Sequence, residues 1–208
     1  LKDMIPNAAF HTEEGTTERT NGVYTWVIDP LDGTTNFIHG VPCYAVSIAL
    51  LHNEEPIVGV VYECNQDEMF TAIKGQGAFL NGKRIQVSNC KKVSNSLIGT
   101  GFPYYDYQLL DQYLTLFKHL MQHSRGLRRP GSAATDLAYT AAGRFDAFYE
   151  YSLSPWDVAA GVLLVREAGG TVTDFSNGDD AIFNKEIVAT NGSLHNEMME
   201  LIDRFMKN

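Results

Sequence analysis

The sequence holds few cysteines, little positive charge and no long apolar run, and each shortage removes a class of protein. Its three cysteines, Cys43, Cys64 and Cys90, are scattered and odd in number, with no CxxC pair. Neither a disulfide framework nor a zinc ribbon is indicated, and packed thiols are expected. Lysine and arginine number 16 against 25 acidic residues, for a net charge of -9 and a pI near 5.0. That balance argues against a general nucleic-acid surface, and part of the acidic excess is what a cation-holding site would carry. No apolar stretch reaches membrane-spanning length, and the opening LKDMIPNAAF has neither the basic region nor the apolar core of a signal peptide. A soluble, cytoplasmic protein acting on a small molecule is the expectation. Also missing are GxxxxGK[ST], against phosphate transfer from ATP by a P-loop, and a CxxxxxR signature, against a cysteine phosphatase.

What is present is a chain of 208 residues, 44% hydrophobic and 20% charged, long enough for one large domain or two small lobes sharing a core. Its centre is YTWVIDPLDGTTNF, Tyr24 to Phe37, where a β-branched and aromatic run ends in two carboxylates, a glycine and paired hydroxyls. Tyr24 to Ile28 suit a buried strand, and Pro30 and Gly33 punctuate a charged turn after it. Asp29 and Asp32 thus fall at the carboxyl end of a strand, where open α/β sheets place ligands. Carboxylates this close repel unless a cation neutralises them, and hard oxygen donors suit magnesium. If Gly33, Thr34 and Thr35 open a helical turn, their N–H groups are donors for a phosphate. Two aspartates beside a turn are also commonly just solvated, so the stretch alone does not decide.

Around it, AAFHTEEG reads as a short strand ending at Glu13 and Glu14, and TTERTNG as a polar, mobile connection. Leu1, Met4 and Ile5 resemble the last turn of an amphipathic helix stopped by Pro6. Tyr44 to Leu51, Pro56 to Glu63 and Met69 to Ile73 read as strands, and GQGAFLNGKRIQVS as a hairpin turning at Asn81-Gly82, so the first half predicts a meandering antiparallel sheet. From about Asn95, strand and helix alternate. SLIGTGF, FDAFYEY, TVTDF and EIVATN are strands, while Tyr107 to Met121, Gly131 to Ala142, Pro155 to Ala168 and Leu194 to Met206 are helices. Two parts, residues 1–94 and 95–208, are expected to share one site between them. Asp157 sits in a helix's first turn, where an acid also simply complements the dipole.

DPLDGTTNF followed by PWDVAAGVLLVREAGG, with VPCYAVSIALLHNEEPIVGVVYE, GAFLNGKRIQVS and RRPGSAATDLAYTAAGRFDAFYE between them, resembles the inositol monophosphatase family over nearly the whole chain. The resemblance implies an αβαβα sandwich of the sugar-phosphatase type, α/β in class, and a magnesium-dependent, lithium-sensitive phosphomonoesterase, usually a homodimer. It also implies two or three Mg2+ ions held by Glu13, Asp29, Asp32, Asp157 and the main-chain carbonyl of Leu31. Glu13 and Thr34 would orient the attacking water, with Asp32 bridging metals. Gly33, Thr34 and Thr35 would cradle the phosphate. Substrate contacts would fall on Asp32, Gly131, Ser132, Ala133, Glu150 and Asp157. Glu14 is expected to face solvent. Family members carry a helix pair ahead of the position of Leu1, one bringing a lysine to the site, and a longer link between Glu14 and Tyr24.

Inositol monophosphate is the first substrate expected, because the match is nearest to the bacterial pattern and Glu150 suits ring hydroxyls. A 3'(2'),5'-bisphosphate nucleotidase or a fructose-1,6-bisphosphatase would use the same mechanism, and fold alone does not choose. The aspartyl-phosphate enzymes, with DxDGT, place their aspartates two apart, whereas three steps separate Asp29 from Asp32. A regulatory binding protein on the same fold is the remaining alternative, since some relatives are thought to assist transcription complexes. Arg128 and Arg129 read as a solvated or salt-bridged pair, with a partner or dimer contact as the alternative.

Overall fold

Apolar runs broken by short polar turns leave the first third of the chain little choice but to pair each strand with the next. In a computed structural model, which describes residues 1–15 and 23–207, seven strands lie in sequence order: β1 (Ala9–Thr12), β2 (Tyr24–Asp32), β3 (Ala45–His52), β4 (Glu55–Glu63), β5 (Glu68–Ile73), β6 (Gly77–Leu80) and β7 (Lys83–Ile85). All neighbours are antiparallel except β1 and β2, which run parallel. The connection TTERTNG between those two lies outside the described residues. A second sheet follows, formed by β8 (Leu97–Thr100), β9 (Gly126–Arg128), β10 (Ala147–Tyr151), β11 (Thr171–Thr173) and β12 (Glu186–Thr190), in the order β11-β12-β10-β8-β9.

The described residues also form five α-helices, α1 (Thr34–Ile38), α2 (Leu110–His123), α3 (Ala133–Ala141), α4 (Pro155–Glu167) and α5 (His195–Met206). Helix α4 buries every residue from Val158 to Val165. Such a helix, apolar all round, has to be covered on all sides. It lies with α3 between the sheets, in a core shared by Val27, Ala49, Val61 and Phe70 of the first and Phe148, Ile187 and Ala189 of the second. Helices α2 and α5 are amphipathic instead. They bury Tyr113, Leu116, Leu120, Met198 and Ile202 against Ile98, Tyr149 and Val188 on the other face of the second sheet. Among the described residues the layers run sheet, helices, sheet, helices, the βαβα part of the αβαβα sandwich that the resemblance implies.

Several local expectations change. Residues Leu1 to Ile5 form a turn in which the N–H groups of Met4 and Ile5 both reach the Leu1 carbonyl, rather than a helix end. Helix α2 starts at Leu110, not Tyr107, because the Asp106 carboxylate accepts the Gln108 N–H at 3.0 Å and holds a turn there. Strand β9 was not foreseen; it is a three-residue edge strand. Most consequential, the predicted charged turn after Ile28 is still strand, since β2 continues to Asp32. Among the described residues, no helix is long and apolar enough to cross a membrane.

Candidate active site

Residues three apart in a regular strand point to opposite faces, so Asp29 and Asp32 should not meet. Register against β3 shows how they do. Asp29 pairs with Ser47 and Asp32 with Ala45, so three steps on β2 match two on β3. The extra residue is a bulge at Pro30-Leu31, where proline has no N–H for the ladder. It turns both carboxylates to one side, and Asp157 joins them from α4. One oxygen from each of Asp29, Asp32 and Asp157 lies within 4.8 Å of the others.

Each carboxylate is held by the backbone beside it. Asp29, 2% exposed, accepts the Leu31 N–H at 2.8 Å. Asp157 accepts the Ser154 N–H at 2.7 Å across the first turn of α4, where Pro155 stands at the helix start. Asp32 is tied to the start of α3: its Oδ2 accepts the Ser132 hydroxyl at 2.6 Å and the Ala134 N–H at 2.8 Å. The sequence makes Ser132 a substrate contact. That contact is expected of the backbone around it, and its side chain orients Asp32 and caps α3 by accepting the Thr135 N–H at 3.2 Å.

Packing three acids together without a counter-ion raises all of them. Burial and then the Asp32 charge push Asp29 up to about 8, against the Leu31 N–H. Burial lifts Asp32 to about 6, opposed by Ser132 and Ala134. Burial and then the Asp32 charge lift Asp157 to about 7, opposed by the Ser154 N–H. Glu13 adds to all three shifts. It follows β1, with its N–H on the Ile28 carbonyl at 3.3 Å, and lines the same cavity, but it is exposed and stands outside the three-carboxylate cluster. Glu14 is exposed and lines no part of this cavity.

The chain leaves β2 through Gly33 at φ 90°, a left-handed conformation that favours glycine. Space demands it too, because a Cβ there would stand 2.9 Å from the Cys43 carbonyl oxygen and 3.2 Å from that of Gly131. Helix α1 then begins at Thr34, and the first-turn N–H groups of Thr34 and Thr35 have no acceptor within the helix. The Thr34 hydroxyl donates to the Leu31 carbonyl at 2.9 Å, which puts those two predicted groups in contact. Asn36, given no role by the sequence, donates to the carbonyls of Cys43 at 2.7 Å and Pro130 at 2.8 Å. It stitches this loop to the Gly131–Ala133 segment.

Glu13, Asp29, Leu31, Asp32, Gly33, Thr34, Thr35 and Asp157 open on one cavity of about 260 Å³, which also takes in Gly131, Ser132, Ala133, Glu150, Trp156, Arg129 and Asp136. Glu150, on β10, rests its carboxylate over Gly101, where any side chain would overlap it. Burial raises the Glu150 carboxyl well above the usual range. Phe102, Tyr104 and Tyr105, all exposed, line the cavity as well. Asp136, Arg129 and these aromatics were not singled out as site residues, and only their nearness to GSAA and GTGF in the sequence could have pointed to them.

The donor set suits a hard divalent cation: three carboxylates, a neighbouring carbonyl at Leu31 and no nitrogen or sulfur ligand in the cluster. The model of the inositol monophosphatase family matches residues 1–207. The chain belongs to that family. It is 45% identical over 203 residues to a putative Nus factor SuhB of Neisseria meningitidis, covering 97% of this chain and 78% of that protein. It is likewise 45% identical over 205 residues to an inositol-1-monophosphatase of Rhizobium meliloti, covering 98% and 77%. Among solved family members, the extragenic suppressor protein suhB of Bartonella henselae superposes with a TM-score of 0.92 at 41% identity, over 98% of this chain and 78% of that one.

Proposed function

We propose that the protein is a magnesium-dependent phosphomonoesterase that hydrolyses inositol monophosphate or a closely similar polyol phosphate. The observation that carries this reading is the convergence of Asp29, Asp32 and Asp157 within 4.8 Å at a cavity that also holds Glu150. Asp29, Asp32 and Asp157, with Glu13 and the Leu31 carbonyl, would hold two or three Mg2+ ions. Bound magnesium supplies charge to the phosphoryl oxygens and eases proton loss from the attacking water. The chain's own groups do the rest. The N–H groups of Gly33, Thr34 and Thr35 bind phosphate oxygens, Glu13 and the Thr34 hydroxyl orient the water, and Glu150 with the Gly131–Ala133 segment receives the alcohol. Membership of a family with named inositol-1-monophosphatases supports the substrate, and the family's usual homodimer is proposed here as well.

A second reading has its own observation. Several relatives at 45–50% identity are named Nus factors, so a regulatory binding role on the same fold is the alternative. One experiment separates the two. Phosphate release is followed from inositol 1-phosphate, fructose 1,6-bisphosphate, adenosine 3',5'-bisphosphate and glycerol 2-phosphate, with and without magnesium and with added lithium. Magnesium-dependent, lithium-inhibited release that favours the inositol ester is expected. Release from another ester alone replaces the substrate, and silence across the panel favours the binding protein.

A further inference from the structure

Asn36 has no task in that mechanism and lines no part of the cavity, yet its side chain stands where distant segments meet. An amide nitrogen has two hydrogens to give, and both are used. One goes to the Cys43 carbonyl at 2.7 Å and the other to the Pro130 carbonyl at 2.8 Å. The first bond ties α1 to the entry of β3, and the second ties it to the entry of α3, 94 positions further on.

The segments it joins need holding. Cys43 sits at φ 90°, a left-handed backbone that is unfavourable for a residue with a side chain and persists only where the surroundings fix it. It is fixed from both ends, since its carbonyl accepts from Asn36 and its N–H donates to the Asn65 Oδ1 at 3.1 Å. Gly131, at φ 99°, packs so closely that a Cβ on it would stand 2.9 Å from the Asn36 amide nitrogen. The phosphate side, by contrast, keeps its own shape without this amide. The Phe37 N–H reaches the Gly33 carbonyl at 3.0 Å, the His39 N–H reaches that of Thr35 at 3.2 Å, and the Thr34 hydroxyl reaches that of Leu31. What the Asn36 side chain adds is where α1 stands relative to Gly131–Ala133.

We propose that Asn36 is a positioning residue that sets the spacing between the phosphate-binding turn and the Gly131–Ala133 segment, and so aligns a bound ester for attack. The proposal rests on the phosphomonoesterase reading and adds to it a residue that touches neither substrate nor metal. An ester has to span both segments at once, and misplacing reacting groups by about 1 Å can cost on the order of 100-fold in rate.

The test measures phosphate release from inositol 1-phosphate and, by calorimetry, the binding of inorganic phosphate, both with magnesium, so that turnover is expressed per phosphate-binding site. Asn36→Ala is expected to lower kcat per site by at least about tenfold, while Kd for inorganic phosphate, which spans nothing, stays within about threefold of wild type. Asn36→Asp keeps the volume and removes both donors, so it should act in the same direction, and it serves if the alanine variant does not fold. A phosphate Kd that weakens as much as turnover falls would assign Asn36 to the support of the phosphate site alone and overturn the proposal, as would unchanged turnover per site. If wild type binds inositol 1-phosphate but releases nothing from it, the esterase reading fails by itself. The affinity of that ester relative to inorganic phosphate then decides: an advantage for the ester in wild type that Asn36→Ala loses upholds the spacing role, and an advantage kept by the variant or absent from wild type overturns it. No phosphate binding in wild type overturns both.

Discussion

Asp32 carries more of the site than any other residue. Its Oδ2 accepts the Ser132 hydroxyl and the backbone N–H of Ala134 at the start of α3, and its charge is the largest charge–charge influence on both Asp29 and Asp157. Asp32→Asn removes that charge at constant volume, so magnesium-dependent phosphate release should fall by at least about 100-fold, beyond what loss of a mere supporting contact costs. The metal-free variant should melt no lower than wild type, because a mutually repelling acid is gone. Retained turnover would remove Asp32 from the mechanism. Ser132→Ala asks a different question. The hydroxyl orients Asp32 and caps α3, so a loss of roughly 10–100-fold in magnesium affinity should accompany a loss of about 1 kcal/mol in stability. Magnesium titration and denaturant unfolding of the same variant measure the two. At this scale the sequence was informative about residue types and silent about direction. DPLDGTTNF identifies Asp29 and Asp32, but nothing in the letters shows that a bulge turns both the same way. Asp136 was illegible because a single acid in a helix's first turn is ordinary, and its burial near the Glu150 charge is a property of two distant segments.

Among the elements, the pair α3 and α4 sets how the carboxylates meet, since one carries the anchor of Asp32 and the other Asp157. They cross closely. A Cβ at Gly161 would lie 2.5 Å from the Leu137 Cβ, a separation that real side chains do not adopt. Gly161→Ala should therefore destabilise the protein by about 1–3 kcal/mol through overpacking, despite the roughly 1 kcal/mol by which alanine favours a helix. A denaturant midpoint above that of wild type would contradict the close crossing. The elements themselves were largely legible, because long apolar periods and the Asn81-Gly82 turn are strong local signals. β9 escaped because three edge residues carry no period, and α2 was extended too far because its helical spacing of apolar residues continues through the turn that Asp106 closes.

For the molecule as a whole, the raised carboxyls make stability depend on pH in a stated sense. Asp29, Asp32 and Asp157 titrate at about 8, 6 and 7 in the folded, metal-free protein and near 4 when unfolded. Between those limits the folded chain holds more protons than the unfolded one, so its stability falls as pH rises. The contribution is fully present below about pH 4 and is lost as pH climbs through the folded values. Under the proposed function magnesium would bind only the deprotonated set, so its effect would have the opposite trend. The metal-free melting temperature should drop from pH 6 to pH 8, and the rise on adding magnesium should be larger at pH 8. An increment that shrinks with pH would place the cation elsewhere. The overall layering was legible as alternating strands and helices, whereas which helices would be buried between the sheets follows from α4 being apolar on every side.

The hydrogen bond from Ser132 to Asp32 joins residues 100 positions apart. A chain emerging from the ribosome has both strand aspartates long before it has anything to hold them, and Asp157 comes later still. Under the proposed function, tight cation binding would thus be acquired only at the end of folding, when both sheets have closed on α3 and α4. Magnesium affinity, followed during refolding, is a clock for that last step, and it should appear after the backbone signal of the strands has already recovered.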